Sequence, residues 1–316
     1  MDLNALRVFE RVAATGSFTA TARHFHRAVS SISRQIASLE ESLGQQLLYR
    51  HTRAVTLTEA GERYYQDVRG ILEQLDLATE ALTAPNAEPS GVLRLNAPVA
   101  FGQRQIMPIL HRFQQRYPAV NVELMLTDQL TDPVREGIDI TFRVGELADT
   151  TLVARRLAPM NYVVAAAPSY LHNAGTPNTP DDLAQHSCLL YQGEMGRQRW
   201  YFHHPEQRQP LTCKVDGPLC SNDAESLVQA ALMGHGLVMF PTWLIADELA
   251  SGKLLPVLEA WRCEVAPGRR DIHVLYAQRR LHTRKVSAFL DHLFDMVGPA
   301  PAWDNWRERR LPDERT

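Results

Sequence analysis

The chain has 316 residues, 45% of them hydrophobic and 22% charged, with a formal net charge of −3. That size and balance fit about two globular domains and exclude a collagen-like or charge-dominated disordered chain. No stretch reaches the ~18 uninterrupted apolar residues of a membrane helix, and the start, MDLNALRVFE, lacks the basic-then-apolar order of a secretory signal. The reading is therefore a cytoplasmic protein with no membrane partner.

Charge is uneven along the chain. Residues 1–58 hold seven arginines against four acids, a net +3, which leaves −6 for the remainder. A basic head on an acidic body points to an anionic partner at the N-terminal end. Only three lysines occur (Lys214, Lys253 and Lys285), so nearly all the positive charge is guanidinium. The four cysteines (Cys188, Cys213, Cys220 and Cys263) contain no C-x-x-C and fit reduced thiols. A redox pair of Cys213 with Cys220 is the alternative.

Three short helices are expected first. Leu3, Leu6, Phe9 and Val12 recur at helical spacing. GSFTATARHF reads as a turn and a second helix. Ile32, Ile36, Leu39 and Leu43 form the buried stripe of a third, which Gly44 ends. LLYRHTRAVTLT then reads as a small hairpin or wing.

Residues 58–82 read as one long helix, about 36 Å at ~1.5 Å per residue, with Thr58 as N-cap and Glu59 and Glu62 in its first turn. Tyr64, Val68, Ile71, Leu75, Ala78 and Leu82 make a heptad seam. Such a seam either packs on its own domain or pairs with a second copy; a dimer is the favoured reading. TAPNAEPSG, residues 83–91, is a hinge by composition.

From residue 92 strands alternate with helical patterns: VLRLNA, then a helix carrying Ile106, Leu110, Phe113 and Tyr117, then VNVELMLTD and GIDITFRVG. NYVVAAAP, SCLLYQ, RWYF, GLVMFP and DIHVLYA follow. This is the pattern of an α/β sheet structure. The tail from Trp303 is charged and shows no apolar face, so disorder is expected for much of it.

The third helix carries the first functional signal. Opposite its buried stripe lie Ser30, Ser33, Arg34 and Ala37, with Ser31 beside them. Small residues permit close approach, serine can donate or accept, and arginine can fork onto guanine or phosphate. A catalytic reading of these serines fails, because no nucleophile elbow or orienting acid accompanies them.

GSFTATARHFHRAVSSISRQIASLEESLGQQLLYRHTRAVTLTEAG resembles the winged helix-turn-helix of LysR-type transcriptional regulators. The matching residues are Gly16, Ser17, Phe18, Ala20 and Ala22, then Ser33-Arg34-Gln35-Ile36, Leu39-Glu40, Leu43-Gly44, Leu47, Arg50 and Leu57-Thr58-x-Ala60-Gly61. Downstream, LRLNAPVAFG, PILHRFQQRYPAVNVEL and EGIDITFRVG are similar to that family's effector domain. The resemblance spans residues 1–297. Ala28-Val29 stands where the family often has Ser-Gln, and His24 and His26 are less usual.

The resemblance implies an α/β chain with an all-α winged helix-turn-helix N-terminal domain and a two-lobed, periplasmic-binding-protein-like (type 2) effector domain. The domain bounds are 1–58 for DNA binding, 59–82 for the dimerisation helix, 83–91 for the hinge and 92–297 for the effector domain. Within the last, one lobe is 92–161 with 267–297 and the other is 162–266; residues 298–316 are a C-terminal tail. The implied partners are double-stranded DNA, a small-molecule effector such as a carboxylate, further copies of the chain (a dimer or tetramer) and RNA polymerase.

DNA contacts are expected from Ser30, Ser31, Ser33 and Arg34 on the recognition helix and from Arg50 and Arg53 on the wing. Effector contacts are expected at strand ends: Asn96, Pro98, Val99, Asp128 and Arg143 on one side, Tyr191, Asn222 and Pro241 on the other. Arg143 also reads as a structural strand-end arginine, and Asn222 with Asp223 as simple helix caps. No cofactor, metal or catalytic residue is expected: no dinucleotide fingerprint appears, and His203-His204 would point to opposite faces of a strand. A solute-binding module would lack the recognition helix, and an enzyme on the α/β scaffold would need a motif that is not there.

Overall fold

The computed structural model describes residues 2–309 except 51–54, 83–87, 131, 134–135, 146, 148–150, 194–195, 205, 207–208 and 267–269. The chain divides into two compact units, Met1–Ala87 with Asp132–Ile138, and Glu88–Thr131 with Asp139–Thr316.

In the first unit, α1 (Leu3–Thr15) is capped by Asp2, whose carboxylate accepts from the Asn4 N–H at 3.1 Å. Helix α2 (Phe18–His24) is capped by Ser17, which accepts from Ala20 N at 3.2 Å. Helix α3 (Val29–Leu43) ends at Gly44, which takes the left-handed φ of 63° that glycine adopts without strain. Ile32, Ile36 and Leu39 of α3 pack with Leu6, Val8, Phe9 and Val12 of α1 in one core. At roughly 1.5–3 kcal/mol for each fully buried aliphatic side chain, that stripe orients α3. Strands β1 (Leu48–Arg50) and β2 (Val55–Leu57) form the expected antiparallel hairpin. Glu40, in the last turns of α3, accepts from the Leu47 and Leu48 N–H groups at 2.9 and 3.1 Å and so ties the wing to the helix.

Thr58 caps α4 (Glu59–Leu82), its hydroxyl accepting from Gly61 N at 2.9 Å. The expected seam on α4 divides along its first half; the side chains of Ala78 and Leu82 lie outside the described residues. Val68 is buried in the core of its own domain and Tyr64 packs against Phe9 with ring centroids 5.5 Å apart. Ile71 and Leu75 are instead exposed, at 57% and 38%. Spacing of 4, 3, 4 serves an internal contact as well as an external one, so the pattern alone does not separate them.

The second unit carries the two lobes. Lobe one is a five-stranded sheet in the order β4-β3-β5-β16-β6, from β3 (Gly91–Ala97), β4 (Val120–Leu126), β5 (Ile140–Gly145), β6 (Val153–Pro159) and β16 (Asp271–Tyr276). Strand β3 runs parallel to both neighbours. Helices α5 (Val99–Phe101), α6 (Met107–Arg116) and α10 (Arg284–Val297) supply Phe101, Ile109, Leu110, Phe113, Phe289 and Leu293 to its core. Beneath β3, buried Asp139 accepts from Arg94 N at 2.8 Å and pairs with Arg280 at 2.9 Å and Lys285 at 3.6 Å.

Lobe two has a main sheet in the order β11-β10-β15-β7-β13, with β14 (Leu255–Val257) also on β7. Its strands are β7 (Tyr162–Ala166), β10 (Trp200–His203), β11 (Leu211–Cys213), β13 (Val238–Pro241) and β15 (Arg262–Glu264). All described pairings in that sheet are antiparallel. The alternation of strand and helix patterns therefore means parallel crossover for β3, β4 and β5 but not here. A three-stranded sheet of β8 (Leu190–Gly193), β9 (Gly196–Arg197) and β12 (Cys220–Ser221) adjoins it. Helices α8 (Ala224–Leu232) and α9 (Thr242–Ala250) complete the lobe; α7 (Pro168–Ala174) follows β7.

The tail departs from expectation. Trp303 and Trp306 are buried in the large core, Trp303 edge-on to Phe101 at 6.4 Å. Asp304 accepts from Thr242 Oγ1 at 2.5 Å, and Arg307 and Arg309 pair with Glu259 and Asp247 at 2.6 and 3.2 Å. Two indoles three residues apart outweigh the surrounding charge, so residues 303–309 are anchored. Residues 310–316 lie outside the described residues.

Candidate nucleic-acid interface and ligand cleft

On α3, Val29, Ser30, Arg34 and Ala37 are exposed, and Ser31 and Ser33 are half-buried. They lie away from Ile32, Ile36 and Leu39, which the core takes. Arg34 lies along its own helix, its Nε donating to the Ser30 carbonyl at 3.3 Å. Ala28 makes no side-chain cap, which leaves the start of α3 open. Beside it, Thr19, Arg23, His26, Arg27, Ala28 and Val29 line a shallow recess. Arg27 is steadied by donation to Gln35 Oε1 at 3.4 Å. Arg23 and Arg27 are not among the residues expected to touch DNA; the arginine count of the first 58 residues is the signal that could have added them. Of the wing residues, the Arg50 backbone pairs with Val55. The Arg50 side chain and all of Arg53 lie outside the described residues.

The expected ligand residues sort into those that meet and those that do not. Pro98, Val99 and Asp128 come together: Asp128, exposed beyond the end of β4, accepts from Val99 N at 3.1 Å. That carboxylate occupies a backbone donor which an anionic ligand would otherwise use. Tyr191 and Asn222 also lie close, because Tyr191 pairs in register with Ser221. Asp223 caps α8, accepting from Ser226 N at 3.1 Å, while Asn222 stays exposed. Arg143 sits half-buried on β5, opposite His273 of β16.

Two of the expected residues are buried. Asn96 is fully buried within lobe one, its Nδ2 donating to the Met125 carbonyl at 3.4 Å. Its Oδ1 has no hydrogen-bond partner among the described residues, and the same holds for Thr141 Oγ1 in the adjacent register position on β5. Pro241 is buried too, paired with Tyr162 at the end of β13. Counting to a strand's end does not tell which face a side chain takes, and both residues fall on covered faces.

Sequence reasoning missed a second group entirely. Arg104, between α5 and α6, forks onto Glu225 of α8 with Nε–Oε1 at 2.5 Å and Nη2–Oε2 at 2.7 Å. Its Nη1 reaches both Glu248 oxygens, on α9, at 2.9 and 3.1 Å. The cysteines are all free. Cys213 Sγ donates to the Pro180 carbonyl and Cys220 Sγ to Gln192, each at 3.5 Å. Burial pushes the Cys188 and Cys263 thiols up to about 12 and that of Cys213 to about 11. No cluster of three or more potential metal ligands occurs among the described residues. No described helix is long and apolar enough to cross a membrane. His203 Nε2–H donates to the Glu264 carboxylate at 2.8 Å and the His204 ring lies tilted against Trp261 at 4.8 Å, so the two imidazoles have separate partners.

A winged helix-turn-helix followed by a long helix and a two-lobed α/β body defines a DNA-binding regulator with a ligand-sensing domain. Residues 3–62 match the family model of the bacterial regulatory helix-turn-helix protein, lysR family, and residues 86–298 match the LysR substrate binding domain. The chain belongs to the LysR-type transcriptional regulators. It is 34% identical over 278 residues to an HTH-type transcriptional regulator of Haemophilus influenzae, covering 88% of this chain and 94% of that one. It is 34% identical to the HTH-type transcriptional regulator PtxR of Pseudomonas aeruginosa, covering 95% of each. Among solved structures, CrgA, a LysR-type transcriptional regulator from Neisseria meningitidis, is similar with TM-score 0.60 and 30% identity, covering 94% of this chain and 99% of that one.

Proposed function

We propose that this regulator reads operator DNA as a dimer or tetramer and answers to a small molecule held between its α/β lobes. The observation that carries the DNA reading is the stripe of exposed Ser30 and Arg34 with half-buried Ser33 on α3, opposite the anchored Ile32, Ile36 and Leu39. In this reading α3 enters the major groove, where Ser30, Ser31, Ser33 and Arg34 meet base edges or nearby phosphates. Arg50 and Arg53 reach the backbone from the wing. Exposed Ile71 and Leu75 on α4 support pairing with a second copy, which would set two heads on half-sites about one helical turn, ~10 bp, apart or a multiple of it. RNA polymerase is the proposed downstream partner.

For the effector we propose a small organic acid. Asp128 and Asp223 already cap the helices that follow β3 and β12, so the carboxylate of such a ligand would be met by Arg143. Tyr191, Asn222, Pro98 and Val99 would shape the walls. Mass spectrometry of ligand retained by gently purified protein tests this part; a retained amine or uncharged molecule would overturn it.

A gel shift with the DNA upstream of its own gene, at two salt concentrations, tests the DNA reading. Arg34→Ala should weaken specific binding by roughly 1–3 kcal/mol. Arg53→Ala should weaken binding to all sequences and flatten the salt slope by about one unit. Unchanged operator affinity in a folded Arg34→Ala protein would remove Arg34 from the reading set.

A further inference from the structure

The stretch that joins α5 to α6 is a π turn, Gly102–Ile106, closed by the Met107 N–H donating to the Gly102 carbonyl five residues back. In a regular α-helix Phe101 and Ile106, five apart, would diverge. The wider turn lets both side chains enter the core. The turn also fits tightly, since a Cβ on Gly102 would lie 2.2 Å from Leu126 Cδ2. Arg104 and Gln105, carried on the same turn, reach lobe two.

What they reach is specific. One guanidinium holds two carboxylates from two helices of the other lobe, through the four contacts given above. The three side chains keep only 20% (Arg104), 26% (Glu225) and 13% (Glu248) of their exposure. Gln105 Nε2 donates to the Trp243 carbonyl at 2.6 Å, and Phe101 meets the Trp243 ring edge-on at 5.2 Å. The tail grips the same helix through Asp304 on Thr242 and Arg309 on Asp247. Bidentate charge-assisted bonds in a partly dry setting are strong and directional. Removing the cation would strand two neighbouring carboxylates. Besides the chain crossings, the lobes are thus joined by the Arg104 fork, by Gln105 and Phe101 on Trp243, and by a shared apolar core that holds Phe101 and Phe142 with Leu227 and Leu244.

We propose that Arg104 is a latch between the lobes: it holds α8 and α9 to lobe one, and the lobes shift only when its fork releases at least one of Glu225 and Glu248. This deepens the proposed function by naming the contact through which a ligand would be felt. Arg104 is a positioning residue and needs no contact with the ligand.

Hydrogen exchange on the full chain, without DNA or ligand, tests the latch. In Arg104→Met, amides at 159–162, at 264–266, in the first turn of α8 and in the last turn of α9 should exchange at least tenfold faster, with β3 and β13 unchanged. Glu225→Gln and Glu248→Gln should each give part of that rise, because the other arm of the fork remains. Arg94→Met, which breaks the Arg94–Glu123 pair within lobe one, should leave those segments at the unsubstituted rate. Equal exchange in Arg104→Met and the unsubstituted chain would overturn the proposal. So would a rise of the same factor in β3 and β13, which marks plain loss of stability. Should Arg104→Met not fold, the two glutamine variants carry the same comparison. None of these measurements uses an operator, so a failed gel shift and a failed latch are separate results.

Discussion

Two glycines on one helix should respond to the same substitution with opposite signs. Gly61 and Gly70 both lie in α4. A Cβ added at Gly61 would sit 2.0 Å from the Leu47 carbonyl oxygen and 2.8 Å from its carbonyl carbon. Those are backbone atoms of the segment leading into β1, already held by Glu40 and by Thr58, whose hydroxyl donates to the Gln46 carbonyl at 2.8 Å. At Gly70 the added Cβ meets nothing within 4 Å. Alanine gains about 0.8–1 kcal/mol over glycine in a helix interior. Gly70→Ala should therefore stabilise by about that amount. Gly61→Ala receives the same gain, but overpacking costs typically 1–3 kcal/mol and more against rigid backbone. The net should be a loss of up to about 2 kcal/mol, which leaves a gap of about 1–3 kcal/mol between the two variants. Urea unfolding followed by circular dichroism measures it, and the gel shift shows whether displacement of the wing weakens DNA binding. If Gly61→Ala proves as stable as Gly70→Ala, the close packing of α4 on the wing segment is wrong.

Other outcomes follow from buried groups. Asp139→Ala should cost roughly 3–5 kcal/mol, because Arg280 would be left charged and buried; a loss below 1 kcal/mol in urea unfolding would contradict the pairing. Trp306→Ala should cost about 3–5 kcal/mol, whereas a disordered tail would give no change in the same assay. With burial holding the Cys188, Cys213 and Cys263 thiols at about 11–12, they stay protonated at pH 8 and react slowly. Iodoacetamide should then label native protein mainly at Cys220 and all four cysteines in urea; peptide mapping that finds Cys188 alkylated in the native state would refute this.

Much of the first unit was legible because its signals are local. The stripe of Ile32, Ile36 and Leu39, the stop at Gly44, the Thr58 cap and the wing hairpin each rest on residues a few positions apart. Four of the five strands of lobe one were legible for the same reason; β6, VARRLAP, was not, because its exposed Arg155 and Arg156 break any apolar alternation. Other features depend on which face is covered. The spacing of Tyr64 and Val68 could not say that they pack against Phe9 and its neighbours rather than a partner. Asn96 and Pro241 stand where a strand-end count puts ligand residues, yet both are buried. The tail misled because its charges outnumber its indoles, although burying two tryptophans is worth more than solvating the charges beside them. Arg104 gave no signal, since Glu225 and Glu248 lie 121 and 144 positions away.

The carboxylate of Glu40 has a consequence for the kind of operator this regulator could tolerate. By accepting from the Leu47 and Leu48 amides, it ties the entry of the wing to the far end of α3 and, if α3 reads the groove, would join probe and handrail in one part. Such a head would work as a fixed ruler. It could forgive changes of letter beneath α3, but it could not stretch to meet a phosphate displaced along the strand.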